Sequence, residues 1–315
     1  MNRPSFFIVG AAQSGTRALY ETLRTHPGLF LPPSGDLGYY WSNKDPFHFG
    51  GDFESDDALN SFEGAAEGAV CGTATAWQAF SEQMPTRIQE FAPRGKIILM
   101  LRPPISWMRD WHHDLLCGAQ EKKVSFQQAL IAEQEREKGN VMPKEPTLAA
   151  YLSYRKSAQF SEQIEHYYQV FGKEQVFVGL MEDWEEKPES FLKELLEFLE
   201  VDSTVKLTAK EEEGAKVLPG THHFDLAVDQ FFGRLLGGVG LKKFFTKTGK
   251  AKYREVAERL FAPMSDKKIP SVLEDELLEE FEPEVAKLSL LLGRDLSHWN
   301  EPRFPRTYHD HDHHH

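Results

Sequence analysis

Three features of the sequence predict an α/β fold, a central parallel sheet flanked by helices. Short apolar runs alternate with helical segments along the chain. The first run, residues 5–9, leads into a glycine-bounded loop at 10–15. A later run, Lys96–Leu101, ends in an arginine at 102. Strands alternating with helices make a parallel sheet covered on both faces. At 315 residues and 40% hydrophobic content the chain has enough apolar material for one large domain or two small ones. No internal repeat and no clear boundary divides it, so 1–300 is read as one domain and 301–315 as a tail. The last residues, His309-Asp-His-Asp-His-His-His315, read as a purification-tag scar or a disordered tail.

Each element has a local reason. Ser5-Phe-Phe-Ile-Val9 is apolar with a β-branched end and reads as a buried strand. From Thr16 a helical pattern starts, with Leu19 and Leu23 on one face and Pro27-Gly28 as the stop. Residues 29–33 read as a second strand. Residues 34–57, rich in glycine, aspartate and aromatics, read as an irregular functional loop. Residues 69–76 are small and alternating, a third strand. Met84–Phe91 is a short helix closed by Ala92-Pro-Arg-Gly95, and Lys96–Leu101 is the clearest buried strand. A helix follows over about 105–117, with Pro103 and Pro104 tolerated in its first turn. Further helices are predicted over 125–138, 148–171 and 188–199, and a strand over Val176–Leu180. A last helix covers 271–293 with Pro283 as a kink. Residues 201–252, holding Pro219-Gly220, His222, His223 and Gly237-Gly-Val-Gly240, read as a long excursion over the functional face.

Composition narrows the function. The net charge of −13 argues against a general nucleic-acid binder, which is usually basic. An anionic small ligand is still allowed, because a local nest of N–H groups and one or two arginines can hold it against the global field. No apolar run reaches membrane-spanning length and no signal-like start is seen, so no span is expected and a cytoplasmic location is. Cys71 and Cys117 are too few for a disulfide framework, which fits a reduced compartment.

Strand, glycine-bounded loop and helix together form a usual phosphate holder, because the first-turn N–H groups and the positive end of the helix dipole face the loop. Gly10 and Gly15 have the spacing of the Walker loop, but Thr16 and Arg17 follow where that motif has Lys and Ser/Thr. The gripping lysine and the magnesium-binding hydroxyl are absent. A structural turn can also produce this pattern. The second strand of such a site ends in a magnesium-binding acid in NTPases. Here it ends in Arg102, suited by its fork geometry to a phosphate and needing no metal; a surface arginine at a strand end is the plain alternative.

Over most of its length the sequence resembles the 3′-phosphoadenosine-5′-phosphosulfate (PAPS) sulfotransferases. Phe6-Phe-Ile-Val-Gly-Ala-Ala-Gln-Ser-Gly-Thr16 is similar to that family's 5′-phosphosulfate loop. Lys96-Ile-Ile-Leu-Met-Leu-Arg-Pro-Pro104 is similar to its 3′-phosphate site. Residues 176–199, with Glu182-Asp183 and Lys187-Pro188, resemble its following strand and helix. Phe281-Glu-Pro-Glu-Val-Ala-Lys-Leu288 with Leu292-Gly-Arg-Asp-Leu-Ser-His-Trp299 resembles its C-terminal end. The resemblance implies a P-loop-like sulfotransferase fold and sulfuryl transfer from PAPS to a hydroxyl or amine of a small molecule or glycan. It also implies that the N–H groups of Ser14, Gly15, Thr16 and Arg17, with the Ser14 and Thr16 hydroxyls, hold the 5′-phosphosulfate, and that Arg102 holds the 3′-phosphate.

The departures from the family pattern lie at the site. Bacterial relatives carry a serine eight residues after the arginine, and Asp110 stands there. Either Asp110 turns away, or Ser106 or Arg109 takes its place, or that half of the donor site is weakened. The loop lysine or arginine before Ser-Gly-Thr is Gln13, a neutral donor, and Arg17 could supply the cation instead. The family's Lys-Glu-x-x-Phe-Phe is matched by Gly35-Asp36-Leu-Gly-Tyr-Tyr40, which puts Asp36 in the base position. Gly72-Thr-Ala-Thr75 lacks the acid and lysine often found on the third strand. His48, His112 and His113 are fallback bases, with packing or surface roles as the alternative. The aromatics Tyr39, Tyr40, Trp41, Phe47 and Phe49 either line an acceptor pocket or pin the loop. A catalytically impaired relative that binds nucleotide or acts as a scaffold is the alternative to an enzyme.

Overall fold

The computed structural model describes residues 3–33, 59–74, 78–117, 121–123, 125–143, 146–210 and 269–302. The fold is the expected α/β one. Its strands are β1 (Phe6–Gly10), β2 (Leu29–Phe30), β3 (Val70–Ala74), β4 (Lys96–Leu101) and β5 (Val176–Leu180). They form one all-parallel sheet in the order β2-β3-β1-β4-β5. The helices are α1 (Thr16–Leu23), α2 (Met84–Phe91), α3 (Pro104–Cys117), α4 (Phe126–Glu137), α5 (Pro146–Tyr151), α6 (Tyr154–Ser157), α7 (Phe160–Phe171), α8 (Met181–Glu186), α9 (Pro188–Phe198) and α10 (Ser271–Leu292).

The alternation of side chains along β1 and β4 sorts the helices into two layers. Phe6, Ile8, Ile98 and Met100 pack with Leu19 and Leu23 of α1, Trp184 of α8, and Phe191 and Leu195 of α9. Phe7, Val9, Ile97 and Leu99 pack with Met84 and Ile88 of α2 and with Tyr167 and Phe171 of α7. Beyond the end of β4 a third cluster joins Trp107 and Trp111 of α3 to Tyr154, Phe160, Leu277 and Phe281. The indoles of Trp107 and Trp111 stack at 6.1 Å, and Phe160 meets Trp107 edge-on at 5.6 Å.

The single helix expected over 148–171 is three helices. The chain breaks at Leu152-Ser153 and again at Ala158-Gln159. Side chains take the carbonyls near the breaks. The Trp111 indole donates to Tyr151 O (2.9 Å), Arg136 to Leu152 O (2.9 Å) and Gln163 to Ser157 O (2.9 Å). At the start of α7 the buried Glu284 carboxylate accepts from the Ser161 N–H (2.8 Å) and hydroxyl (2.6 Å). Burial pushes that carboxyl up, and the Ser161 bonds oppose the shift. Helix propensities differ by only about 0.7 kcal/mol per ordinary residue, so these tertiary bonds decide the outcome. Pro283 lies inside α10, which continues through it to Leu292 and ends at Gly293 (φ 63°).

Two of the quoted motifs meet in space. Glu182 and Asp183, just past β5, receive Arg294, and Glu182 also bonds the His298 ring (2.9 Å) and the Trp299 indole (3.2 Å). Residues 34–58, 211–268 and 303–315 lie outside the described residues. With them go Asp36, Gly35, His48, the aromatics at 39–49, most of the excursion predicted for 201–252, and the terminal histidines; Thr75 lies outside as well.

Gly72 shows how tightly the sheet is packed. It sits opposite Phe6, and a Cβ there would lie 2.0 Å from the Phe6 ring. Gly72→Ala is therefore expected to destabilise the protein by about 1–3 kcal/mol through overpacking. A lowered urea midpoint at unchanged slope checks it.

Candidate anion-binding site

The strand order fixes where a ligand belongs. The chain leaves β1 toward one edge of the sheet and leaves β4 toward the other, so the winding direction changes between these neighbours. In open α/β sheets ligands lie beyond the carboxyl ends of the strands at that point. Those ends are Gly10, which opens the glycine-bounded loop, and Leu101, which precedes Arg102. The two features come together as the sequence predicts: Arg102 Nη1 donates to the Gln13 carbonyl at 2.9 Å.

The loop is braced from behind. The Ala11 N–H bonds to Met100 O (2.8 Å), the Trp107 indole N–H donates to Ala12 O (2.6 Å), and Arg102 holds Gln13 O. In a trans peptide the N–H points opposite to the C=O. Tying back the carbonyls of Ala12 and Gln13 therefore turns the N–H groups of Gln13 and Ser14 away from these two donors. Gln13 (φ 59°) and Gly15 (φ 79°) are left-handed, with one residue between them. Such alternation curls successive N–H groups into an anion-binding concavity. Glycine suits this conformation, whereas Gln13 adopts it at a cost of roughly 1–2 kcal/mol. Its side chain is held as well, by a hydrogen bond from its amide to Asp114. Gly15 is the N-cap of α1; no side chain caps that helix and no acid stands in its first turn. Ser14 and Thr16 are buried beside it, and Arg17 is half-buried on the first turn.

Asp110 does not turn away. Its carboxylate pairs with Arg102 Nη2 (2.7 Å) and with Arg109 Nε (3.1 Å). Arg109 is 1% exposed, and the Arg102 and Asp110 side chains are 14% and 18% exposed. Arg102 thus already serves a carbonyl and a carboxylate. The 5′ end of a PAPS-like donor fits this site, since amides line the loop. At the 3′ end a carboxylate already pairs with Nη2 of the guanidinium that the resemblance assigns to a phosphate, so the fit there is poorer.

His112, a fallback base in the sequence, is held by one of its two ring nitrogens. It is fully buried, its Nε2 donates to Lys123 O (2.7 Å), and its ring packs against Phe126 and Tyr154. A carbonyl can only accept, so this nitrogen carries the proton and cannot remove one from an acceptor. Beside it Tyr154 donates to Glu121 at 2.7 Å. Burial first, and the Glu121 charge second, push the tyrosine hydroxyl well above its ordinary value and keep it a neutral donor. His113 is buried too.

Two site residues escape sequence reasoning, Trp107 and Asp114, which hold the loop; Arg109, named from the sequence as a stand-in beside the phosphate, pairs with Asp110 instead. Trp107, Asp110 and Asp114 recur at helical spacing and share the face of α3 that meets the loop. That period was the available signal. Among the described residues no cluster of His, Cys, Asp or Glu could hold a metal ion, and no helix is long and apolar enough to cross a membrane.

No protein-family model matches the chain, and no curated protein matches its sequence. Solved structures do. The crystal structure of a sulfotransferase from Alicyclobacillus acidocaldarius is 24% identical, covers 96% of this chain and 100% of its own, and superposes with a TM-score of 0.65. The sulfotransferase domain of the curacin biosynthetic pathway is 15% identical over 82% of this chain and 98% of its own, with a TM-score of 0.41. That of a Synechococcus olefin synthase is 14% identical over 86% and 98%, with a TM-score of 0.38. The likeness to the first establishes the fold.

Trp107→Phe keeps the aromatic stack but strands the buried Ala12 carbonyl. A loss of about 1–3 kcal/mol is expected, read as a lower unfolding midpoint. An unchanged midpoint would mean the indole does not brace the loop.

Proposed function

We propose that this chain, which has the sulfotransferase fold, moves a sulfuryl group from a nucleotide 5′-phosphosulfate of the PAPS class to a hydroxyl or amine of a small molecule or glycan, without a metal and in the cytoplasm. The observation that carries this reading is the loop at the switch point, with its carbonyls tied back and its amides turned the other way. The donor supplies an activated S–O bond; the protein positions and stabilises charge, as in phosphoryl transfer.

The amides of Ser14, Gly15, Thr16 and Arg17, with the Ser14 and Thr16 hydroxyls, grip the 5′-phosphosulfate. The Ser14 hydroxyl is only weakly engaged, 3.4 Å from Ala12 O, and is ready to turn to a ligand. Gln13 gives one amide N–H to Asp114 and keeps a second for the bridging oxygen. Arg17 supplies the cation that Gln13 lacks. Asp36 accepts the acceptor's proton, an assignment carried by the sequence resemblance alone.

One contact favours a second reading. Asp114 beside Gln13 adds negative charge where a transferase wants positive, which suits a relative that binds nucleotide without turnover.

Two measurements decide. Adenosine 5′-monophosphate or adenosine 3′,5′-bisphosphate, at a hundredfold excess over Kd, stabilises by about 2.7 kcal/mol and raises Tm by several degrees. No shift with either at millimolar concentration contradicts nucleotide binding. In a labelled-sulfate transfer assay over a panel of acceptors, turnover that falls by about a hundredfold or more in Arg17→Ala supports the enzyme. Binding without turnover supports the second reading.

A further inference from the structure

The Arg102–Asp110–Arg109 cluster bears on the nucleotide end of the donor. Arg102 Nη1 is engaged by Gln13 O at 2.9 Å, and Nη2 by Asp110 at 2.7 Å. The other Asp110 oxygen faces Arg109 Nε at 3.1 Å. Two guanidiniums therefore fix one carboxylate just past the end of β4, and Arg102 Nε and Arg109 Nη2 are buried with no partner among the described residues.

We propose that the preferred donor carries a free ribose 3′-hydroxyl where PAPS carries a phosphate. The ligand is then adenosine 5′-phosphosulfate, with Asp110 accepting a hydrogen bond from the ribose hydroxyl. This inference rests on the function proposed above and names the donor within that class.

The argument is one of charge and valence. A phosphate within hydrogen-bond reach of Arg102 Nη2 comes within a few ångströms of the Asp110 carboxylate, whose charge opposes it and offsets one of the two guanidiniums that would attract it. Moving Asp110 aside breaks two ion pairs and leaves a nearly buried Arg109 without its carboxylate. A hydroxyl requires neither change. Each carboxylate oxygen has two lone pairs, so Asp110 can keep both arginines and accept one more hydrogen bond. Dinucleotide-binding folds make the same distinction, with an acidic side chain on a free ribose hydroxyl and an arginine on its phosphate. In the transfer itself the bridging S–O bond of the phosphosulfate breaks, and the acceptor oxygen or nitrogen bonds to sulfur. The acceptor proton passes to a carboxylate base or to water, and adenosine 5′-monophosphate leaves.

Calorimetric titration of the intact protein compares the two desulfonated products. Adenosine 5′-monophosphate is expected to bind at least tenfold more tightly than adenosine 3′,5′-bisphosphate. Asp110→Ser is expected to raise bisphosphate affinity at least tenfold and to cancel or reverse the preference. If the wild-type protein binds the bisphosphate equally well or better, the inference is overturned while the nucleotide reading stands. An unchanged preference in folded Asp110→Ser overturns the role of Asp110. If neither nucleotide binds at millimolar concentration, the proposed function falls and this inference with it. The wild-type ratio alone decides the matter if the variant does not fold.

Discussion

Two hydrogen bonds to consecutive carbonyls hold the site together. The Trp107 indole takes Ala12 O and the Arg102 guanidinium takes Gln13 O. A glycine-bounded turn is otherwise free to point its peptide planes either way, and with carbonyls forward it would repel an anion. Anchoring two of them to the far side makes the amides the exposed edge. The anchors depend on the rest of the fold. Trp107 is locked by Trp111, Phe80 and Phe160, and Arg102 by the end of β4. The third core cluster, which gathers α3, α6, α7 and α10 beyond the sheet, is thus the foundation of the loop as well as a source of burial.

The same bracing redistributes charge. In the pattern the sequence resembles, a loop cation and a strand-end arginine address two ends of one nucleotide. Here the loop position is a neutral amide tied to Asp114, and the strand-end arginine is shared between a carbonyl and Asp110. The backbone amides of the loop see no such change of partner, whereas both side-chain positions are engaged by carboxylates. That arrangement is the basis for the donor proposed above, with one strongly charged end and one hydroxylic end. On the proposed function, Asp110 would act as a selector at the nucleotide's other end.

Much of this was legible in the sequence because it is local. The runs Phe6-Phe-Ile-Val9 and Ile97-Ile-Leu-Met-Leu101 are buried on both faces and read as parallel strands. The Gly10 and Gly15 spacing gives the loop, and Arg102 follows from the end of a strand. What was not legible is tertiary. The 148–171 segment has the apolar period of one helix, yet it is cut twice, with Trp111, Arg136 and Gln163 donating to the carbonyls beside the cuts. His112 has the chemistry of a base, and only the structure shows its Nε2 held by Lys123 O and its ring packed on two aromatics. Asp110 could be flagged as unusual from its position, but only the geometry reveals that two arginines hold it in place.

The central claim is that tying back Ala12 O and Gln13 O turns the loop amides toward an anion, beside the uncapped first-turn amides of α1, so that residues 14–17 form the proposed cradle. A crystal structure of the protein with bound adenosine 5′-monophosphate tests it most directly. The account predicts phosphate oxygens about 3 Å from those N–H groups, with the Trp107 and Arg102 bonds to the two carbonyls intact. A phosphate bound away from the loop, or a loop re-formed with both carbonyls released, would contradict it.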